Sequence, residues 1–374
     1  TNNQLVVVNS NRFTVLDTLR QVPGVTVDQQ GGLGTVSGLR IRGMESDQNL
    51  ILLNGRRLPP GLAGQYQLEF FEVSTLESVQ VLRGAASSLY GSEAIGGVVD
   101  LRSTDARYVE TNGISWHAEG GSFETARTGG TLSLRDGIFG AVIDASAVES
   151  EGSRPKEDFE NGVIRGNFAA DLGDGVWFDV LGMVQSGEVG VPGSSFPGTF
   201  TFPSYPAGQR NINDSLLVSP RLTAEGDRWD FSLFYSYNQN ELQNVDSPVF
   251  FGSNNDNLLK QVGRETEAVF NYSPVDETTL TLGAGRYQYA FEQSPIGNTS
   301  GSRAATRDFS YNSLFGQVDL ALPLDFNLAA SLRGDDHDTY DDATTYSLAL
   351  EKDFSRTGTT LFARRSTGYR PPTG

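Results

Sequence analysis

From about Gly113 onward the chain alternates apolar and polar residues with a period of two, the mark of β-strands whose faces meet different surroundings. In Arg228–Asn240, Trp229, Phe231, Leu233, Tyr235 and Tyr237 share one face opposite Asp230, Ser232, Ser236 and Asn238, with Phe234 out of step. Ala268, Phe270 and Tyr272 oppose Glu265, Glu267 and Asn271, and Phe326, Leu328, Ala330 and Leu332 oppose Asn327, Ser331 and Arg333. Tyr346, Leu348 and Leu350 oppose Thr345, Ser347 and Glu351. About thirteen such segments can be counted. Alternation alone fits a half-buried soluble sheet equally well, and the connections break the tie. They are short at Arg135–Gly137, Leu172–Gly175, Glu225–Arg228 and Ser273–Thr278. They are long at Ser150–Asn161, Gly187–Asn213, Glu241–Gly263 and Glu292–Asp308. Short turns at one end and long loops at the other are the rhythm of a transmembrane β-barrel. Trp229, Tyr235, Tyr237, Tyr272, Tyr287 and Tyr289 lie near strand ends, where they suit interfacial girdles. Pro220 runs against this reading, because it removes a ladder donor.

The first hundred residues have a different texture. Val15, Leu16, Leu19 and Val22 fall at helical spacing and Pro23-Gly24 stops the helix. Gln29–Gly38 (QQGGLGTVSG) superficially resembles a dinucleotide-binding loop, but a strand follows it where that motif requires a helix. Leu39–Gly43 (LRIRG) and Leu50–Leu58 (LILLNGRRL) read as strands, the second ending in a hairpin-type Asn54-Gly55 turn. Glu77–Leu101 (ESVQVLRGAASSLYGSEAIGGVVDL) reads as strand, Arg-Gly turn, a small-residue segment ending in Leu-Tyr-Gly, a Gly-Gly corner and a second strand. Glycines between apolar strands mark tight or left-handed turns here, not a flexible linker.

In this order, LRIRG, LILLNGRRL and Glu77–Leu101 resemble the plug domain of TonB-dependent outer-membrane receptors. The terminal STGYRPPTG resembles a G-F/Y-R/K-A-P motif that full-length members of that family carry well before their C-terminus. The resemblance lies nearest the vitamin B12 and ferric-siderophore receptors. It implies a mainly β fold: an α/β plug at 1–105 inside the lumen of an antiparallel transmembrane barrel, whose N-terminal strands occupy 106–374. Plugged barrels of this kind have about 22 strands, so thirteen are expected to be a partial wall and the chain the N-terminal part of a receptor. The implied site is the outer membrane of a Gram-negative bacterium, and the implied partners are its lipid, the energy-transducing TonB protein and a small-molecule substrate such as cobalamin or an iron chelate. Gln4, Leu5, Val6, Val7 and Val8 resemble the family's Ton box, and the same run also fits the first plug strand. Plug arginines in the family pair with carboxylates of the lumen wall. Arg40, Arg42 and Arg83 take that role by position, with Glu77, Glu265 or Glu267 as partners; the alternative is plain solubility charge. Gln65, Tyr66 and the loop Gly187–Asn213 are candidate substrate contacts.

Composition narrows the function. A net charge of −18 disfavours a nucleic-acid partner. No cysteine is present and only two histidines, His117 and His337, so a thiolate or zinc centre and a Ser-His-Asp arrangement find no support, and no enzyme activity is expected. No run of 18 apolar residues exists, which leaves strands as the way to cross a bilayer. Glu157, Asp158 and Glu160, in the loop where related B12 receptors hold calcium, read either as a solvated acidic loop or as a Ca²⁺ site; no other cofactor is expected. The expected function is energy-coupled uptake of a large, scarce nutrient of the vitamin B12 or ferric-siderophore type. The alternative is a passive outer-membrane surface-binding or structural β protein without transport.

Overall fold

The computed structural model describes residues 3–7, 14–58, 66–192, 209–245, 256–296 and 304–371. The N-terminal part builds a five-stranded sheet in the order β1 (Asn3–Val7), β6 (Ser78–Arg83), β7 (Gly97–Arg102), β4 (Asn49–Leu53) and β5 (Arg56–Arg57). β4 and β7 run parallel and the other pairs antiparallel. A separate hairpin joins β2 (Val25–Gln29) to β3 (Ser37–Ile41). Helix α1 (Val15–Leu19) starts on a capping box, with the Thr14 hydroxyl and the Asp17 carboxylate each answering the other's backbone N–H. Helix α2 (Ser87–Tyr90) is one turn, standing in the loop between β6 and β7. All five residues of β4 are buried, as expected for a strand covered on both faces.

Around this plug curves a single antiparallel sheet of thirteen strands in sequential order. They are β8 (Gly113–Gly120), β9 (Ala126–Asp136), β10 (Phe139–Ser150), β11 (Phe159–Gly173), β12 (Val176–Val191), β13 (Gln209–Gly226), β14 (Trp229–Val245), β15 (Asn257–Tyr272), β16 (Thr279–Pro295), β17 (Ala305–Leu322), β18 (Phe326–His337), β19 (Ala343–Phe354) and β20 (Thr359–Ser366). β8 and β20 are its edges, so the wall described is an open arc.

The wall is inside-out relative to a soluble sheet. Leu332 is 59% exposed on the outer face while its neighbour Arg333 is 1% exposed toward the plug. Ile164, Phe168, Leu282, Leu314 and Leu348 also face outward, and Asp144, Arg165, Asp179 and Glu265 are buried inward. The period-two faces expected for β14, β15, β18 and β19 are those the sheet adopts. Phe234, the exception in β14, turns inward and lies under the Arg56 guanidinium, 5.9 Å from its ring centre. Tyr287 and Tyr289 correct the girdle assignment: both are buried on the inner face, where β16 packs against the plug. Pro220 interrupts only half of its ladder. Pairing to β12 continues through it, whereas pairing to β14 lapses at Ser219 and Pro220 without a change of register. The Tyr235 carbonyl is met there by the Ser219 hydroxyl at 2.8 Å.

One apolar core crosses from plug to wall. Val15, Leu16, Leu19, Ile51, Leu53 and Leu68 pack in the same cluster as Val163, Leu181, Met183 and Leu217 of β11–β13. Leu181 is fully buried there. Leu181→Ala is expected to cost about 2–5 kcal/mol by opening a cavity at this junction. Thermal unfolding of the detergent-solubilised protein checks this; an unchanged midpoint would mean that plug and wall do not share a core.

Candidate functional site at the seam between plug and wall

The site is the surface along which the plug meets the wall, and two adjacent arginines organise it. The tight Asn54-Gly55 turn, with φ of 49° and 81°, reverses the chain after β4 and drives Arg56 and Arg57 into the gap between the domains. Both side chains are almost fully buried. Strand alternation sends them to opposite sides.

Arg56 meets β12 and β13. Its Nη2 lies 3.2 Å from Asp179 Oδ2, Nε donates to the Ser219 hydroxyl at 3.1 Å, and Nη1 donates to its own turn's Asn54 carbonyl at 2.9 Å. Asp179 also accepts from Arg221 Nε at 2.7 Å, and Arg221 stands 3.6 Å from Asp105. Asp105 holds Arg107 at 2.9 Å, and Arg107 reaches Glu225 at 3.6 Å. Charge alternates along the whole path, which crosses between the domains three times. Burial and the nearby Arg221 lower the Arg56 pKa to about 10, so the cation persists at neutral pH.

Arg57 meets the middle of the lumen. It pairs with Glu93 of the plug at 3.2 Å and with Glu265 of β15 at 3.6 Å, and its backbone N–H donates to Glu265 at 3.3 Å. Asn238 of β14 donates to the Arg57 carbonyl at 3.1 Å, and the guanidinium also donates to the carbonyls of Tyr90 and Ser92. The Tyr287 ring lies 5.1 Å from the Arg57 guanidinium carbon and 5.7 Å from that of Arg333, a wall residue paired with Asp335 at 2.8 Å. Gly91, at φ 81°, ends α2 between these two cations. A Cβ there would sit 2.7 Å from a terminal nitrogen of each, so a larger residue would displace both guanidiniums as well as strain the backbone.

A third set of contacts lies toward β9–β12. Asn161 and Gln185 both donate to the Phe70 carbonyl, at 2.9 and 3.1 Å, and Asn161 also donates to Glu72, which lies 3.7 Å from Arg127. Near the long-loop end, Glu157 accepts from the Gly32 backbone at 3.2 Å.

The residues expected to lock the plug are placed elsewhere. Arg40 pairs with Asp28 across the β2–β3 hairpin, and Arg83 donates to the Pro23 carbonyl. Arg42 is exposed in a left-handed turn, and Glu77 is exposed at the start of β6. Arg56 and Arg57 bridge plug and wall because the Asn54-Gly55 turn delivers the two-residue β5 into the gap. Consecutive charges immediately after an Asn-Gly turn were the available signal. Glu265 and Glu267 do line the seam, the first with Arg57 and the second accepting from the Tyr287 hydroxyl.

The acidic residues, read from the sequence either as a solvated loop or as a Ca²⁺ site, are turned to different partners. Glu157 is taken up by Arg154 at 2.6 Å and the Ser153 hydroxyl at 2.7 Å, Asp158 pairs with Arg210, and Glu160 lies exposed opposite Glu149 and Glu188. No group of three or more metal-ligating side chains is found among the described residues. The Arg154 hydrogen bond, foremost, holds the Glu157 carboxyl at about 2. Tyr66 is buried in the shared core, while Gln65, Val8 and most of Gly187–Asn213 lie outside the described residues. Gln4–Val7 form β1 at the sheet edge, paired with β6 in the register Val6↔Val79.

Residues 5–98 match the family description "TonB-dependent Receptor Plug Domain", and residues 150–374 match "TonB dependent receptor-like, beta-barrel". The chain belongs to the TonB-dependent receptor family. The chain is 28% identical over 347 residues to a protein of Vibrio vulnificus (strain CMCP6) named vitamin B12 transporter BtuB. That match takes in 90% of the receptor chain and 54% of the relative, so the chain spans about half of the relative's length. Among solved structures, the FrpB iron transporter from Neisseria meningitidis superposes with a TM-score of 0.80 at 13% identity, covering all of this chain and 64% of that one. A ferric enterobactin receptor (PfeA) mutant from Pseudomonas aeruginosa gives 0.78 at 18% identity, covering 100% and 62%. At these identities the structures show a shared fold.

Two predictions follow from the receptor's seam. Arg57→Ala would leave Glu93 and Glu265 buried without their cation, a loss of about 3–5 kcal/mol. Arg57→Lys should recover only part, since an ammonium lacks the planar fork. Urea unfolding monitored by protease access to the plug measures both, and an alanine variant as resistant as the parent would show that Arg57 is not the lock. The second concerns Glu69, buried in the plug. Burial lifts its carboxyl to about 8, opposed by the Ser37 hydroxyl donating at 2.6 Å. The unfolded chain releases that proton near 4.5, so the folded state keeps an extra proton between these values. Stability should therefore fall as pH rises from 4.5 through about 8 and level off above. Glu69→Gln should flatten the decline; an unaltered pH profile of the melting temperature would assign it to another group.

Proposed function

We propose that the chain is the plug and adjoining wall of an outer-membrane receptor that imports a large, scarce nutrient of the vitamin B12 or ferric-siderophore type by energy coupling to TonB. The observation that carries this reading is the polar seam. A plug meant only to seal would be held best by apolar packing, whereas this one is also held by buried ion pairs that can be exchanged for water. The apolar outer face of the wall supports a bilayer location, because a soluble sheet would bury it. The name of the Vibrio vulnificus relative supports cobalamin as cargo, and the ferric-siderophore alternative rests on the resemblance of the plug motifs to that receptor class.

The run Gln4–Val8 is proposed as the segment TonB takes hold of. β1 lies at a sheet edge, where one side of its backbone is open to strand addition. A pull applied there acts directly on β6 and, through it, on the loop that carries α2.

Collapse of the proton gradient in cells expressing the receptor should abolish accumulation of labelled cyanocobalamin or ferric enterobactin while surface binding persists. Val6→Pro should do the same without any uncoupler. Uptake that survives both treatments would favour a passive surface-binding protein.

A further inference from the structure

The two sides of the seam are built differently. On the β10–β13 side apolar packing lies beside the ion pairs of Arg56 and Arg107 and the hydrogen bonds of Asn161 and Gln185. The plug core merges with Val163, Leu181, Met183 and Leu217; Phe70 stacks on Phe159 with ring centres 5.8 Å apart; and Ala106 and Val109 pack with Val142 and Ala169. On the β17–β20 side the plug presents α2 and its flanking loop, and no buried apolar cluster among the described residues joins them to the wall. The contacts there are hydrogen bonds. Ser88 meets Ser331 at 2.6 Å, Ser92 meets Tyr311 at 3.2 Å, Arg333 donates to the Leu89 carbonyl at 3.4 Å, and Arg364 donates to the Ala85 carbonyl at 2.6 Å.

This polar side also carries unspent hydrogen-bonding capacity. Ser313 Oγ, Thr345 Oγ1, Arg333 Nη2 and both ring nitrogens of His337 are buried on the inner face of β17–β19 without a hydrogen-bond partner. Thr345 faces Arg333 across the β18–β19 ladder, and Ser313 faces Asp335 across β17–β18, so these groups form one patch. Nearer the short turns, the same strands line a cavity of about 350 Å³ with Asp319, Asn327, Glu351 and Arg364 among its walls. Polar groups of this kind gain partners when water or a hydrophilic solute enters. The β10–β13 side loses both apolar burial and its ion pairs when it is parted.

We infer that the plug opens along its polar side: the loop Gly84–Gly96 with α2 swings away from β17–β20 while the β10–β13 side stays seated. The inner face of β17–β20 then becomes the path for a hydrated, hydrogen-bonding solute. This rests on the transport reading above and adds where the passage lies. Gly84 and Gly96 bound the moving loop, and Gly84, at φ 104°, already occupies a conformation open to glycine.

The absence of native cysteine allows a direct test. Thr345→Cys reports on the polar side and Val163→Cys on the β10–β13 side, each labelled with a membrane-impermeant maleimide in energised cells with and without TonB. TonB-dependent labelling should rise at least about tenfold at position 345 and stay flat at 163, the signature of a local opening. A disulfide between Ser88→Cys and Ser331→Cys should abolish that rise. Bridging Glu72→Cys to Asn161→Cys with a short dithiol-reactive linker should leave it intact. An equal rise at both positions, or a rise at 163 alone, would overturn the inference while leaving energy-coupled transport standing. No TonB-dependent change at either position would overturn the inference as well, whereas the transport reading falls only if uptake survives collapse of the proton gradient.

Discussion

Arg57 enters the lumen on a strand of two residues and is 5% exposed, so its charge is held by groups from both domains. Glu93 and the Tyr90 and Ser92 carbonyls come from the plug; Glu265, Asn238 and the Tyr287 ring come from the wall. A buried ion pair of this kind contributes little net stability compared with apolar packing of the same volume, yet removing one partner is costly. Such an interface is strong against loss of a single group and tolerant of wholesale exchange for solvent. The glycine at position 91, the placement of α2 and the register of β14 to β16 all serve this one cation.

The inverted polarity of the wall makes such an arrangement necessary. With leucine, phenylalanine and isoleucine on the outer face, strand alternation leaves charged and hydroxyl residues for the interior. A plug filling that interior must bring complementary charges, and it does so at Arg56, Arg57, Glu72 and Arg107. Where the wall offers small and medium apolar residues instead, at β11–β13, the plug answers with its own core. One surface therefore combines a region held by apolar packing and ion pairs with a region held by hydrogen bonds.

Much of the fold was legible in the chain. The two-residue period identified the wall strands and their faces, and the alternation of short and long connections separated a barrel from a soluble sheet. The Asn54-Gly55 and Leu-Tyr-Gly turns were visible as turns. The lock was less legible. Arg40, Arg42 and Arg83 stood in family-like motifs, but Arg40 and Arg83 are spent on hairpin and loop contacts within the plug, because their strands lie away from the gap. Phe234, Tyr287 and Tyr289 broke or blurred the periodic pattern for a reason that no periodicity holds: each meets the plug at the lumen face.

The sequence by itself determined which residues alternate, where the chain must turn and which domain comes first, since these depend on neighbours a few positions away. Only the tertiary structure decided which arginines are buried, which carboxylates they meet and that the acidic loop spends its charges on Arg154 and Arg210. Partners such as Arg57 and Glu265 lie about two hundred residues apart. They are brought together by the curvature of thirteen strands around the plug, and no local pattern encodes that curvature.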